Sequence, residues 1–159
     1  SMLLFSGNTA CCLITVRHRN MNLPDSKSFF KAVECAFSFL RPAGFEFPES
    51  GKESTPTYDS ILILGKNVAF SVSLDRRDEC IDFYIARVKD GEVIRNDVPG
   101  GYWGHFHGFV VKHRKYRGGF SEFRGVSHKD EATSSIGVYA NALKALAPDA
   151  ATDSEKVFG

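Results

Sequence analysis

The sequence lacks the short motifs by which common catalytic sites are identified. It contains no P-loop, no G-x-G-x-x-G fingerprint, no H-E-x-x-H helix, no G-x-S-x-G elbow and no C-x-x-C pair. No nucleophilic side chain is accompanied by an identifiable base. These absences favour a non-enzymatic protein, and no cofactor is expected.

The chain also lacks a hydrophobic run of membrane-spanning length. Its first residues have neither the basic segment nor the full apolar segment of a secretion signal. No membrane association is therefore expected. Residues 1–20 are expected to form an N-terminal extension or an edge strand, since the sequence CCLITV at residues 11–16 has strand character.

Cysteine is too scarce for a scaffold that depends on disulfide bonds. The four cysteines of the 159-residue chain are Cys11, Cys12, Cys35 and Cys80. Small secreted domains that rely on disulfides carry cysteine at a much higher density. We therefore expect free, partly buried thiols and a cytoplasmic location.

An excess of charge of either sign is absent as well. The 20 lysines and arginines nearly balance the 19 acidic residues, and the net charge is +1 at pH 7. Whole-molecule charge therefore neither supports nor excludes nucleic-acid binding. The length fits one domain, residues 1–159, with a core of its own. With 14 phenylalanines, aromatic rings are expected to dominate that core.

Two kinds of hydrophobic periodicity alternate along the chain. Apolar residues recur at helical spacing to about Leu40, and Asp25 or Ser26 can cap this helix. Strands are predicted at residues 58–64, 68–74, 80–88 and 92–94, each followed or preceded by turn residues. A polar loop is expected at residues 48–56, a second helix from about 129 to 146 with capping-box spacing at 127–130, and a short final turn at 153–158 that tucks Val157 and Phe158 inward. This order predicts an α+β fold in which an antiparallel β-meander of about four to five strands packs against an N-terminal and a C-terminal helix.

The most distinctive segment is GGYWGHFHGFVV, residues 100–111, which holds the only tryptophan. If residues 102–111 are extended, His105 and His107 point to the same face of a strand. Two such imidazoles can share a metal ion when a third ligand completes the site. His113 and His128 are candidates for that ligand, but their spacing requires neither. The simpler expectation is an aromatic-lined edge strand with hydrogen-bonded histidines.

The glycines of this segment leave one of its faces bare. A shallow aromatic pocket of Tyr102, Trp103 and Phe106 is one expectation, and helix packing on the bare surface is the other. An unpaired strand at residues 100–111 also predicts a homodimer, because two copies can pair there across a two-fold axis.

Two charged stretches stand out from the rest of the sequence. Residues 112–124 interleave cations with aromatic rings and include only Glu122 as an acidic residue, a composition that suits phosphate contacts and base stacking. It suits an acidic protein surface equally well. The other stretch contains four carboxylates around a hairpin turn, which we expect to be solvated: Asp75, Asp78, Glu79 and Asp82.

Three blocks of the sequence resemble a loose group of small bacterial proteins. The blocks read FSFLRPAGFEF, then YDSILILGKNVAFSVSLDRRDECIDFYIARVKDGE, then YANALKALAPD followed by EKVF. Some members of the group look like immunity proteins of toxin systems or products of mobile gene cassettes. The resemblance covers residues 29–92 and 138–158. It implies a small, non-enzymatic cytoplasmic binder whose partner is a protein such as a toxin, and it carries over no functional residue.

The leading hypothesis is therefore a binding protein, of the immunity type, that recognises a protein partner through its aromatic and basic region at residues 100–124. The residues expected to bind are Tyr102, Trp103, His105, Phe106, His107, Arg114, Tyr116 and Arg117. One alternative is a small-ligand or metal-binding protein that uses His105 and His107. Another is a nucleic-acid-binding protein that uses residues 112–124.

Overall fold

In the computed structural model, which describes residues 23–123 and 131–159, an antiparallel meander sheet packs against helices from both ends of the chain. The α+β prediction is confirmed. The helices are α1 (Ser26–Ala36), α2 (Phe106–His113), α3 (Glu131–Leu146) and α4 (Pro148–Ala151). The strands are β1 (Lys52–Ser54), β2 (Tyr58–Leu64), β3 (Val68–Asp75), β4 (Cys80–Lys89), β5 (Glu92–Ile94) and β6 (Trp103–His105). The predictions for residues 1–20, 11–16 and 127–130 lie outside the described residues.

The sheet follows the order β1-β2-β3-β4-β5, and β6 also pairs with β4. β5 pairs with residues 87–89 of β4 and β6 pairs with residues 84–86, so β5 and β6 lie in line along one edge. The chain leaves this edge between them as a loop at residues 95–102. β1 lies inside the segment predicted as a polar loop, residues 48–56. Its three polar residues show no hydrophobic alternation, so the sequence did not indicate a strand there.

Helix α1 begins as predicted at its acidic cap. The Ser28 amide donates a hydrogen bond of 2.8 Å to Asp25 Oδ1. The helix ends at Ala36 rather than near Leu40, and the chain continues as a 3₁₀ helix over Ser38–Ala43. Pro42 lies within this turn, where its missing N–H cannot continue α-helical hydrogen bonding.

Helices and aromatic rings cover one face of the sheet, the first face, which carries Phe70, Phe83 and Ile85. Phe83 of β4 lies at the centre of this core, with its ring 5.1 Å from that of Phe106 in α2 and 5.3 Å from that of Tyr139 in α3. The C-terminal segment joins the same core, since Val157 is buried and Phe158 packs 5.2 Å from Tyr102. The prediction that these two residues tuck inward is therefore confirmed.

The second face of the sheet carries a different apolar cluster. In the described part of the chain it is formed by strand residues alone: Ala69, Ala86 and Val88, with Leu62, Leu64, Val93 and Trp103 packed beside them. Small side chains thus alternate here with a few large ones, which leaves the large ones half-buried. The candidate site lies on this second face.

Two of the cysteines lie in the described residues. Cys35 on α1 is free and exposed rather than partly buried. Cys80 is buried and disulfide-bonded, so the expectation of a free thiol is wrong for this residue. Cys80 therefore gives no support to a reducing compartment. Within residues 23–123 and 131–159, no helix has the length and apolar character needed to cross a membrane.

Candidate functional site

The extended strand predicted at residues 102–111 is wrong, because only its first part pairs with the sheet. Trp103–His105 forms β6, and the chain then enters helix α2, with His105 as the N-cap residue. Phe106, Phe109 and Val110 recur at helical spacing and are fully buried, so burial of these three side chains favours the helix. His105 and His107 therefore do not share one face of a strand.

The predicted aromatic pocket is divided between the two faces of the sheet. Tyr102 packs toward the core, against Phe109 and Phe158, and Phe106 is wholly buried there. Trp103 lies on the second face. Phe106 thus has no surface to offer a partner, whereas Trp103 is half-buried and keeps part of its surface exposed.

Three rings on the second face stack in a line, which we call the ring row: Trp103, Tyr84 and His105. Tyr84 lies 5.3 Å from the Trp103 ring at an interplanar angle of 18°, and 4.5 Å from the His105 ring. The register of β4 against β6 creates this line, because Tyr84 is paired with His105 and Ala86 with Trp103. The guanidinium of Arg95 lies 4.3 Å above the Trp103 ring and extends the row to the exposed loop at 95–102.

His105, at the other end of the ring row, is followed in the chain by α2 and then by a basic loop, residues 114–120. Burial, and then the charge of His107, hold the pKa of His105 below its usual value, so His105 is neutral at pH 7. His107 Nε2 lies 3.3 Å from the carbonyl oxygen of Gly118. Lys115 and Arg117 are exposed beside this contact. Contacts therefore join Arg95 to the three rings of the ring row, and His107, two residues after His105, contacts the basic loop.

Two predicted binding residues of that loop are engaged within the protein. Arg114 forms an ion pair with Asp149 and covers the Phe109 ring at 5.0 Å. The Tyr116 hydroxyl donates to the Gly119 carbonyl at 2.6 Å, with Glu122 Oε1 2.7 Å away. Desolvation and Glu122 raise the pKa of Tyr116 to about 12. These contacts hold the loop in place, which leaves Arg117 as its free predicted binding residue.

Asp82, beside the ring row, is buried rather than solvated as predicted. Its exposed fraction is 8% and its Oδ1 has no hydrogen-bond partner. Burial, with the charges of Asp75 and Asp78, raises the pKa of Asp82 to about 6. Burial and Asp82 together raise the pKa of Tyr84 to about 12. A carboxyl group in this position opposes folding whenever it is charged.

Replacing Asp82 with asparagine is expected to stabilise the protein at neutral and alkaline pH. Because the folded pKa of about 6 exceeds the ordinary aspartate pKa of 3.8, the cost of the charge is fully present above pH 6 and disappears as the pH falls below 3.8. Asp82→Asn should raise the free energy of unfolding by about 2 kcal/mol at pH 8, with little effect at pH 4. Urea unfolding at both pH values measures this.

The exposed Asp97→Asn variant is the control for the Asp82 experiment, because it removes an acidic charge without removing a buried one. It should change the free energy of unfolding little at either pH. An Asp82→Asn effect of equal size at pH 4 and pH 8 would contradict the account.

The residues of the site do not assemble a metal centre. Within residues 23–123 and 131–159, no group of three or more His, Cys, Asp and Glu side chains is arranged to hold a metal ion. His113, one candidate third ligand, packs instead against Tyr102 and Phe109. The other candidate, His128, lies outside the described residues.

Asn96 was not expected in the site from the sequence. Its Nδ2 donates to the Trp103 carbonyl at 2.8 Å, and its Oδ1 accepts from the Trp103 amide at 3.0 Å. The side chain thus bonds both outward backbone groups of Trp103, as a neighbouring strand would. At this residue a strand from a second copy would have to displace Asn96.

Comparison with known proteins gives no assignment for this site: no family model, no curated protein and no solved structure matches the chain significantly.

Proposed function

We propose that the protein is a non-enzymatic binding module of the immunity type, which recognises an acidic surface of a protein partner through the ring row and the adjacent basic loop. The observation that carries this proposal is the series of contacts from Arg95 over Trp103 and Tyr84 to His105, with the exposed Arg117 next to the His107–Gly118 contact. Trp, Tyr and Arg are the residues that most often dominate protein interfaces. The exposed cations Arg95, Lys115 and Arg117 favour an acidic partner.

The ring row is held in place before any partner arrives. The Trp103 backbone is fixed between β4 and the Asn96 side chain, and its ring is already stacked on Tyr84. Fewer rotamers are lost on binding when the contacting side chains are already ordered. Preorganised aromatic side chains of this kind favour protein recognition at low entropic cost.

The same contacts favour a protein partner over single-stranded nucleic acid. Base stacking requires a free ring face. The Trp103 indole is already stacked on Tyr84 and covered by Arg95, and Phe120 of the basic stretch is buried. The basic stretch thus offers exposed cations without exposed rings. The ring edges of the ring row and the guanidinium groups of Arg95 and Arg117 remain available to a protein surface.

The proposal predicts that Trp103→Ala and Arg95→Ala each weaken partner binding about 30-fold or more, the loss typical of a hot-spot residue. The partner is isolated on immobilised wild-type protein, with the products of adjacent genes tested first. It is then purified and titrated calorimetrically against each variant. Arg117→Ala should weaken binding as well, and more strongly at low salt.

A second cation–π pair supplies the matched control. The Arg41 guanidinium lies 4.4 Å from the Phe47 ring, on the segment that follows α1. Arg41→Ala and Phe47→Ala remove the same chemistry from a different part of the molecule. Equal affinities for the variants of both pairs would overturn the proposal, as would retention of single-stranded DNA, rather than protein, that depends on Trp103.

A further inference from the structure

A cleft that shares no residue with the ring row lies at the end of the sheet where β4 turns into β5. Its volume is about 730 Å³, within the range of small-molecule sites. The β2–β3 turn, the β4–β5 hairpin, the loop at 95–102 and the C-terminal segment together form its walls. Val88, Ile94 and Pro99 give it an apolar part.

The charged side chains of the cleft are mainly positive. Four cations, Lys66, Arg87, Lys89 and Lys156, face two carboxylates, Asp90 and Glu155. In the described part of the chain, the ion pairs are formed by other cations: Lys52, Arg76 and Arg114. The four cations of the cleft have no ion-pair partner among the described residues, so a ligand can pair with them.

Hydrogen bonds fix the walls of the cleft in advance. The Asp153 carboxylate accepts from the amides of Lys66, Asn67 and Val68 at 2.7, 2.8 and 3.0 Å. This ties the C-terminal segment to the β2–β3 turn. On the opposite wall, Arg87 Nη1 donates to the Gly100 carbonyl at 3.3 Å, which positions the guanidinium. A ligand would therefore not have to order these segments.

We propose that this cleft binds a small organic phosphate, a ligand that combines a multiply charged phosphate group with an apolar body. Three observations point to it: a surplus of cations converging from separate segments, an arginine held by a backbone carbonyl, and apolar side chains beside them. Guanidinium and ammonium groups together are the usual partners of phosphate oxygens. The proposal is independent of the protein-binding surface.

The test is calorimetric titration of the full chain at low ionic strength with three probes. ADP should bind, and its affinity should fall as salt is added. Adenosine, which lacks the phosphates, and pyrophosphate, which lacks the apolar body, should each bind at least about tenfold more weakly. Failure of ADP to bind would overturn the proposal. Adenosine binding as tightly as ADP would overturn the role of the cations, and pyrophosphate binding as tightly would overturn that of the apolar part.

Variants locate the binding. Lys156→Gln should weaken ADP binding about tenfold, and Arg87→Gln by at least as much. The Lys156 side chain is exposed, so its variant should fold even if Arg87→Gln does not. Lys31→Gln, on an exposed position of α1, is the matched control and should leave ADP binding unchanged. Equal affinities of the Lys156→Gln and Lys31→Gln variants would overturn the assignment to this cleft.

Discussion

Replacing Phe83 with alanine is expected to lower the free energy of unfolding by about 3 to 5 kcal/mol. The ring is 1% exposed, and it contacts rings from four other parts of the fold. These are Phe37, Phe70, Phe106 and Tyr139, with centroids between 5.1 and 5.6 Å away. Removing it leaves a cavity that the sheet and three helical segments border, so the surroundings cannot easily collapse into it.

Urea unfolding at neutral pH measures this cost. Phe39→Ala is the control, because that ring is only half-buried and lies at the margin of the same core. It should cost clearly less than Phe83→Ala. A Phe83→Ala cost below about 1 kcal/mol would show that the ring is not the centre of the core.

Asp59→Ala is the second substitution with a large expected effect. It should lower the free energy of unfolding by about 3 kcal/mol. The carboxylate is 0% exposed. Oδ1 accepts from Ser26 at 2.9 Å and from Ser54 at 2.6 Å, and Oδ2 pairs with Arg76. Its removal abolishes the side-chain contacts of β2 with α1, β1 and the β3–β4 turn, and it leaves the Arg76 charge without its partner.

A second prediction for Asp59 concerns the pH dependence of stability. Desolvation raises the pKa of its carboxyl, but the hydrogen bonds from Ser54, Arg76 and Ser26 outweigh it, and the net pKa is lowered from 3.8. The stabilisation is therefore present above the unfolded pKa and is lost as the pH falls through the lower folded pKa. The wild-type advantage over Asp59→Ala should shrink in acid.

Asp149→Ala is the matched control for Asp59→Ala, because it breaks the ion pair with Arg114 in a more exposed setting. The Asp149 side chain is 40% exposed, against 0% for Asp59. Such pairs contribute at most about 1 kcal/mol. Equal costs of the two substitutions would contradict the role assigned to Asp59.

The central strands could be predicted from the sequence because local signals agreed there. Alternating apolar residues and turn residues such as Asp90-Gly91 specify β2 to β5 without help from distant contacts. Helix α2 could not be predicted, since His105 and His107 also fit strand spacing. Only the burial of Phe106, Phe109 and Val110 against the sheet and α3 decides between the two.

The candidate site was only partly predictable for a similar reason. Trp103 and His105 stand out in the sequence, but their stacking partner Tyr84 comes from a strand 19 residues before Trp103, and register alone brings it there. Arg95 and Asn96 lie in a stretch without periodicity. Asp59 and Asp82 are both aspartates within apolar strands, yet one has three partners and the other has an unpaired oxygen.

Because Trp103 is the only tryptophan of the chain, its fluorescence reports on the ring row alone. Titration with the purified partner should shift the emission to shorter wavelength and protect the indole from quenching by iodide, since binding removes water from the ring row. Arg95→Ala should weaken this titration, and Arg41→Ala should not. A complex that forms while the emission and quenching of Trp103 stay unchanged would contradict recognition through the ring row.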